Sequence, residues 1–414
     1  MYKIKKLENG LTIVGEEIPY LRSVSLGMWV NAGSRMEDEK NSGTSHFIEH
    51  MLFKGTKNRS AKDIVSEIDN IGGQLNAFTT KECTCYYIKL LDEHIGIGID
   101  VLSDMILNSN FDEGEIKKEK SIILEELKMY EDSPDDLSYD FLLENIYKDN
   151  ALGMNILGTE KSLDEMSRES ILDYFEKLYV PNNAVVSISG NFNFDKLVRD
   201  LSLKFGEWKS GETNIVLEEA EFSPCFITKN KDTEQVSLAI CMKGIALEDD
   251  QDTYALSVVN NIFGASGSSR LFQKIREDKG LVYSIYSEET LYRKCGEFGI
   301  FSSMSTENVE EVYNLIMQEI EYLKKNYITE EELKFSKEQL KGSYILDLES
   351  TGNRMGMIGK SMLLSQNIKT TDEILESIEM IDMKSVKDVV DKVFGTAEIG
   401  VCIVGRDVED IRSL

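Results

Sequence analysis

The sequence repeats itself at long range, and this repetition limits the folds that the chain can adopt. Residues 24–30 (VSLGMWV) are echoed by residues 236–242 (VSLAICM), 212 positions later. Residues 113–118 (EGEIKK) are echoed by residues 330–335 (EEELKF), 217 positions later. Such an offset is far longer than the period of a solenoid repeat. The chain is therefore predicted to contain two copies of one domain-sized unit.

Each copy is predicted to combine strands and helices. Residues 2–7 and 11–18 flank Asn9 and Gly10, a dipeptide that strongly favours a hairpin turn. The other predicted elements of the first copy are strands at 23–30 and 74–90 and helices at 61–71, 95–107 and 113–130. Runs of strands beside helices, without strict alternation, predict an α+β fold. We expect two homologous α/β units in tandem, each a largely antiparallel sheet with helices packed on one face.

The boundary between the copies is predicted at residues 206–223, a polar stretch that contains glycine. Residues 1–205 then form the N-terminal unit and residues 224–414 the C-terminal unit. With 414 residues, the chain is long enough for each unit to bury its own core without disulfides.

The composition of the chain limits which partners and which cellular compartment can be expected. Lys and Arg number 46 against 74 Asp and Glu, which gives a net charge of −28 and argues against nucleic acid and anionic membranes as partners. No run is apolar enough to span a bilayer, and we expect the first residues to be neither a secretory signal nor a transit peptide. Six cysteines in this length favour reduced thiols and a cytoplasmic location. Cys83 and Cys85, the two that lie close together, are interpreted as buried small residues.

Two of the three histidines, His46 and His50, lie four residues apart with Glu49 between them. On a helix this spacing places both imidazoles on one face, where they can reach one metal ion. We expect Ser42 or Thr44 to cap this helix. Glu49 could then take a proton from a water molecule at the metal. The alternative is a pair of structural histidines in the core of an amphipathic helix.

A third ligand is needed for a catalytic zinc, and the helix at 113–130 offers one. Its predicted apolar face consists of Ile116, Ile122, Ile123 and Leu127. Glu119 and Glu126 fall on this face, whereas Glu125 falls toward its rim. A carboxylate in an apolar core needs a cation or hydrogen-bond donors, and a metal would satisfy Glu126. The alternative is that both carboxylates pair with buried Lys or Arg.

These residues resemble the pitrilysin/insulinase family of zinc peptidases, which carries the inverted motif His-x-x-Glu-His. The chain is most similar to the small two-domain members, the mitochondrial and bacterial processing peptidases. Segments at 53–55 (FKG), 72–79 (GGQLNAFT), 269–272 (SRLF) and 276–283 (REDKGLVY) also match. The resemblance covers essentially the whole chain. It implies Zn²⁺ as cofactor, with His46, His50 and Glu126 as ligands, Glu49 as general base and Glu119 as a supporting acid.

The resemblance also implies how a peptide binds. Residues 74–80 would form an edge strand to which an extended peptide adds as a further strand, with Phe53, Asn76, Ala77 and Phe78 as substrate-binding residues. An internal strand is the alternative reading of these residues.

Arg276 and Tyr283 would hold the substrate or the developing oxyanion. Two-unit members of the family pair to enclose a chamber, which predicts a homodimer or a heterodimer with a paralogue. In the second copy, the counterparts of the histidines fall within residues 258–263, which contain no His or Cys. Glu119 and Glu126 correspond there to Ser336 and Ser343. Only the first copy is therefore expected to be catalytic.

The sequence thus predicts a cytoplasmic zinc metalloendopeptidase that hydrolyses extended peptides or unfolded segments inside a dimer chamber. One alternative is a non-catalytic peptide-binding subunit of a heterodimeric processing peptidase, against which the intact Glu49 and Glu126 argue. The other is a small-molecule lyase with the same inverted motif, against which the duplication argues.

Overall fold

The computed structural model describes residues 2–213, 215–396, 398–409 and 411. It divides into two compact units, and each is assembled from separate stretches of the chain. The first unit comprises Met1–Leu127, Met154–Val216 and Ile345–Thr370, and the second comprises Lys128–Gly153, Leu217–Tyr344 and Thr371–Leu414.

Strands and helices alternate irregularly along the chain. The strands are β1 (Lys3–Lys6), β2 (Thr12–Glu17), β3 (Ser23–Val30), β4 (Gln74–Thr79), β5 (Thr84–Leu91), β6 (Ala184–Gly190), β7 (Cys225–Asn230), β8 (Val236–Lys243), β9 (Val282–Tyr292), β10 (Cys295–Met304) and β11 (Ile399–Gly405). The helices are α1 (Thr44–Leu52), α2 (Ala61–Asp69), α3 (Ile95–Asn108), α4 (Glu113–Asp132), α5 (Pro134–Ile146), α6 (Glu160–Glu165), α7 (Arg168–Leu178), α8 (Phe194–Phe205), α9 (Asp250–Asn260), α10 (Val309–Asn326), α11 (Glu330–Asp347), α12 (Thr351–Leu364), α13 (Thr371–Glu379) and α14 (Met383–Phe394). Across the described residues, we find no helix with the length and apolar character needed to cross a membrane.

The sheet of the first unit has six strands among the described residues, in the order β1-β2-β6-β3-β5-β4. The neighbours β2 and β6 are parallel, and the other pairs are antiparallel. The hairpin of β1 and β2 closes around Asn9 and Gly10 as predicted, with Lys6 opposite Thr12. Strand β4 pairs with β5 and lies at the edge of the sheet.

The sheet of the second unit has five strands in its described part, in the order β7-β11-β8-β10-β9. Its pairs are antiparallel apart from β7 with β11. Strands β3 and β8, which carry the sequence echo, each have antiparallel neighbours on both sides. The predicted α+β class with two largely antiparallel sheets is confirmed.

Two helices pack in a unit other than the one formed by most of their own sequence copy: α12 of the second copy packs in the first unit, and α5 of the first copy packs in the second unit. Helix α12 lies in the first unit, where Met355 and Ile358 contact a cluster with Trp29 on the sheet face opposite the main core. Its Gly359 permits this approach, because a Cβ atom there would lie 2.1 Å from Trp29 Nε1. Its counterpart α5 packs in the same way on the sheet of the second unit. The structure therefore adds a helix on the second face of each sheet. The predicted division of the sequence into an N-terminal copy (1–205), a linker (206–223) and a C-terminal copy (224–414) stays a prediction.

The predicted single strand at 74–90 is wrong, because the chain reverses between β4 and β5. Thr80 Oγ1 accepts hydrogen bonds from the backbone N–H groups of Glu82 and Cys83, and Thr80 N donates to Cys83 O at 2.8 Å. A threonine hydroxyl that bonds the backbone two and three residues later favours a turn. The result is a hairpin whose outer strand, β4, is exposed along one edge.

Candidate metal centre and catalytic site

Helix α1 starts at Thr44 because a buried carboxylate, Glu37, accepts hydrogen bonds from its first backbone N–H groups. Glu37 Oε2 lies 2.7 Å from Gly43 N, and Oε1 lies 2.7 Å from Ser45 N. These N–H groups have no acceptor within the helix, so an acceptor from elsewhere in the chain stabilises its first turn. The predicted cap at Ser42 or Thr44 is wrong, since Gly43 is the N-cap and no side chain of the cap itself contributes.

His46 and His50 lie one turn apart on α1, and their ring centroids are 4.6 Å apart. The other side of the helix anchors it in the core through Phe47, Ile48, Met51 and Leu52. His46 is buried, and this burial, together with the charge of His50, lowers the pKa of His46 to about 3. Its imidazole is therefore neutral at neutral pH, which is the form that binds a metal.

Helix α4 brings two carboxylates to these histidines. Ile116, Glu119 and Ile123 are its buried residues, whereas Ile122 is 48% exposed, so the apolar face is narrower than predicted. Glu119 is buried at 1% exposure and Glu126 is partly exposed. Both still point toward α1, as the helical spacing predicted.

Glu126 Oε2 lies 3.9 Å from His46 Nε2 and 3.7 Å from His50 Nε2. One donor atom from each residue lies within 4.8 Å of the others, and no other such group of His, Cys, Asp or Glu occurs in the described part of the chain. Two imidazole nitrogens and one carboxylate oxygen are the donor set of many catalytic zinc sites, which leave a fourth position open. These residues therefore fit a zinc ion.

The ring of His50 is oriented by Glu119 and Lys54. Glu119 Oε2 lies 3.0 Å from His50 Nδ1, and Lys54 Nζ lies 2.7 Å from Glu119 Oε1. Burial would raise the pKa of Glu119, but the hydrogen bonds with His50 and Lys54 outweigh it and the pKa lies below its usual value. A carboxylate on one nitrogen of a metal-binding histidine fixes the ring and directs the other nitrogen to the metal.

Glu49 is half-buried beside His50, and Thr79 Oγ1 donates a hydrogen bond to its Oε2. Burial raises the pKa of Glu49, and the Thr79 hydroxyl opposes this rise. Thr79 is the last residue of β4, so the candidate base is tied to the edge strand. A raised pKa brings a carboxylate closer to the range in which it can accept and release a proton near neutral pH.

The predicted substrate residues lie on or near this edge. Along β4 the side chains alternate, with Asn76 and Phe78 exposed and Ala77 partly buried. Phe78 packs edge-on against Trp29, with ring centroids 5.6 Å apart. Phe53 follows α1 and packs against the core. Their contact with a substrate stays a prediction.

Arg276 and Tyr283 belong to the second unit, whereas the histidines and Glu126 belong to the first. The exposed Arg276 lies in the π-helical segment Phe272–Glu277, with its guanidinium 4.7 Å from the ring centroid of Phe272. Tyr283 is 72% exposed on the edge strand β9. Their predicted role toward a substrate stays a prediction.

In the second copy, a neutral pair lies on the elements that correspond to those of the metal centre. Asn261 Nδ2 donates to Ser336 Oγ at 3.0 Å, and Ser336 is the residue that corresponds to Glu119. An amide and a hydroxyl satisfy each other without charge, but they do not offer the donors that zinc prefers.

Sequence reasoning missed three residues of the site: Glu37, Lys54 and Thr79. Lys54 had a signal, since it lies four residues after His50, in the FKG segment that matches the family. Thr79 lay inside a strand that was predicted without its turn. Nothing in the pattern around Glu37 pointed to the helix start.

With this geometry in place, comparison with known proteins identifies the family. The sequence profile of the insulinase family (peptidase family M16) matches residues 12–160, and the profile of the peptidase M16 inactive domain matches residues 165–340. The chain belongs to peptidase family M16. The second profile covers much of the copy that lacks the histidines and carboxylates of the first.

Relatives of this M16 chain match over nearly its whole length. The uncharacterized zinc protease YmxG of Bacillus subtilis is 42% identical, covering 95% of this chain and 96% of that protein. An uncharacterized zinc protease of Rickettsia felis is 35% identical, covering 98% of each. A crystal structure of a protease from Helicobacter pylori superposes with a TM-score of 0.92 at 21% identity, covering 98% of this chain and 99% of that one. At that identity the last likeness shows the fold alone.

Proposed function

We propose that this protein is a zinc-dependent endopeptidase that hydrolyses extended peptides or unfolded segments. The observation that carries the proposal is the convergence of His46, His50 and Glu126 with Glu49 beside them. The names of the relatives from Bacillus subtilis and Rickettsia felis, both zinc proteases, support zinc as the ion and peptide hydrolysis as the reaction.

Different residues of the site would bind the metal and transfer the proton during hydrolysis. His46, His50 and Glu126 would hold zinc, which supplies a Lewis acid for the scissile carbonyl and acidifies a neighbouring water molecule. Glu49 takes the proton of this water and later delivers it to the leaving amine. Thr79 donates its hydrogen bond to Oε2 of Glu49, which leaves Oε1 available to accept the proton.

The peptide is proposed to bind along β4. This strand has a neighbour on one side, β5, so its outer backbone groups are available to pair with an added strand. Recognition through main-chain groups makes little demand on sequence, which suits unfolded substrates. The exposed Asn76 and Phe78 would contact the substrate side chains, with Ala77 and Phe53 beside them.

We further propose that the protein acts as a homodimer in which Arg276 and Tyr283 of one chain complete the site of its partner. The exposure of both side chains supports this role, since neither is committed to a core. They would hold the substrate or the oxyanion that forms when the carbonyl is attacked. A symmetric pair of chains would then contain two complete sites.

The cytoplasm is the proposed compartment. None of the six cysteines, all of which the structure describes, forms a disulfide, and five of them are buried. Thiols outside disulfides are usual in a reducing environment.

The test of this function is metal content measured together with peptide turnover. Purified protein loaded with zinc should hold one ion per chain and cleave internally quenched peptides, and removal of the ion by a chelator should stop cleavage reversibly. Protein that holds one zinc per chain and cleaves no member of a diverse peptide set would contradict the catalytic role and favour a peptide-binding subunit.

A further inference from the structure

Lys54 lies at the end of the helix that carries the histidines. Its backbone N–H donates to Met51 O at 3.0 Å, which continues the last turn of α1 by one residue. Its side chain is 28% exposed, and its Nζ reaches the buried carboxylate of Glu119 at 2.7 Å. The charged end of Lys54 therefore points back toward the metal centre.

Each oxygen of Glu119 has one partner among the described residues. Oε1 pairs with Lys54 Nζ, and Oε2 forms a hydrogen bond with His50 Nδ1. At 1% exposure, Glu119 has no access to bulk water that could replace either partner. A buried carboxylate with an unsatisfied oxygen is costly, so loss of Lys54 would favour a shift of the carboxylate or its neutralisation.

Such a shift would act on His50. The hydrogen bond to Nδ1 keeps Nε2 of the same ring facing Glu126, at 3.7 Å from Oε2. If Glu119 moves, the ring is free to rotate and the three donor atoms separate.

We propose that Lys54 is a positioning residue of the metal centre, which holds Glu119 against His50 so that His50 Nε2 faces Glu126. This inference rests on the proposed function, because it presumes that the three donor residues bind zinc.

The second copy supports this assignment. Shifted by the offsets of the repeats, Lys54 corresponds to Ser266 and Glu119 to Ser336. The ion pair is therefore missing from the copy that lacks the histidines, although that copy also folds into a largely antiparallel sheet with helices. The second copy folds without the Lys54–Glu119 ion pair, and the pair occurs in the copy that has the histidines. We therefore attribute the pair to the metal centre rather than to folding.

The sign of the effect separates positioning from simple electrostatics. A lysine near a cation site repels the cation, so removal of its charge would by Coulomb's law alone strengthen zinc binding. If Lys54 acts by holding Glu119, its removal weakens zinc binding instead. Loss of such an outer partner typically costs about 10- to 100-fold in metal affinity.

The experiment is a zinc titration of the metal-free protein against a competing chromophoric chelator. Lys54→Met should bind zinc at least about tenfold more weakly than wild type, and Lys54→Arg should recover most of this loss. The matched control is Lys57→Met, which removes an exposed lysine three residues away and should bind as wild type. Circular dichroism of the metal-free variants checks that they are folded.

A double variant keeps the test decisive if Lys54→Met is less stable. In a Glu119→Gln background, Lys54→Met should cause no further loss of zinc affinity, because its target is already neutral. Unchanged or tighter zinc binding by Lys54→Met, or losses that add fully in the double variant, would overturn the inference. Wild-type protein that binds no zinc would instead refute the proposed function, and the inference with it.

Discussion

Replacing Glu37 by glutamine should remove a pH-dependent loss of stability from the protein. Burial raises the pKa of Glu37 to about 7 from its ordinary value of 4.5, although hydrogen bonds from Ser45 and Gly43 favour its charged form. The folded protein therefore holds this proton more tightly than the unfolded chain does. The stabilisation is fully present below about pH 4.5 and is lost as the pH rises through about 7.

The size of this effect follows from the difference between the two pKa values. One pKa unit corresponds to about 1.4 kcal/mol, so a difference of about 2.5 units gives about 3 kcal/mol over the whole range. Glutamine has no proton to lose, so the variant Glu37→Gln lacks this contribution. The amide also satisfies only one of the two N–H groups of α1, which lowers stability by a similar amount at every pH and does not affect the slope.

The assay is urea unfolding of metal-free wild type and Glu37→Gln at several pH values between about 5 and 8. The stability of wild type relative to the variant should fall by about 2–3 kcal/mol across this range, because most of the titration lies within it. The control Glu39→Gln replaces an exposed carboxylate next to the same turn and should follow wild type. If wild type and Glu37→Gln change in parallel, burial does not dominate the ionisation of Glu37 and the reasoning is refuted.

Three further predictions test the site. Glu126→Gln should abolish stoichiometric zinc binding while the matched Glu125→Gln retains it, as measured by metal content after dialysis; equal loss from both would show that the helix phase is wrong. Thr79→Val should lower peptide turnover about tenfold or more without loss of zinc, because a hydrogen bond to a charged group contributes about 1.5–3 kcal/mol. The control Thr79→Ser keeps the hydroxyl and should turn over peptide at nearly the wild-type rate. Equal turnover by the two variants would show that Thr79 does not contribute to catalysis. Glu49→Gln and Arg276→Ala should each be inactive, and their co-expression should restore about a quarter of wild-type activity, because about half of the dimers are mixed and each has one complete site. Background activity in mixed dimers verified by tag pull-down would contradict completion of the site by the partner.

The parts of the site that depend on spacing within one helix were predictable from the sequence. The interval between His46 and His50 and that between Glu119 and Glu126 define helix faces, and the structure brings these faces together. Strand β3 was predicted at its observed bounds, because its alternating pattern ends at clear turn residues.

The parts that depend on tertiary contacts were not predictable. Glu37 lies six residues before Gly43 in the chain, outside the N-cap position itself, so its role at the start of α1 depends on how the intervening turn folds. Helices α5 and α12 have apolar faces, but a face does not specify which sheet it covers, and each packs in the unit of the other copy. The turn at Thr80 was hidden because Cys83 and the residues after it continue the apolar pattern of a strand.

Catalysis by Glu49 at the metal centre is tested by the rate at which zinc-loaded Glu49→Gln cleaves a quenched peptide, compared with zinc-loaded wild type at equal metal content. A glutamine amide cannot accept the proton of water, while both imidazoles and Glu126 are retained. We predict that the variant holds one zinc per chain and cleaves about 10²- to 10⁴-fold more slowly than wild type. Near-normal cleavage by the variant with its zinc bound would show that another group is the base and would contradict this account.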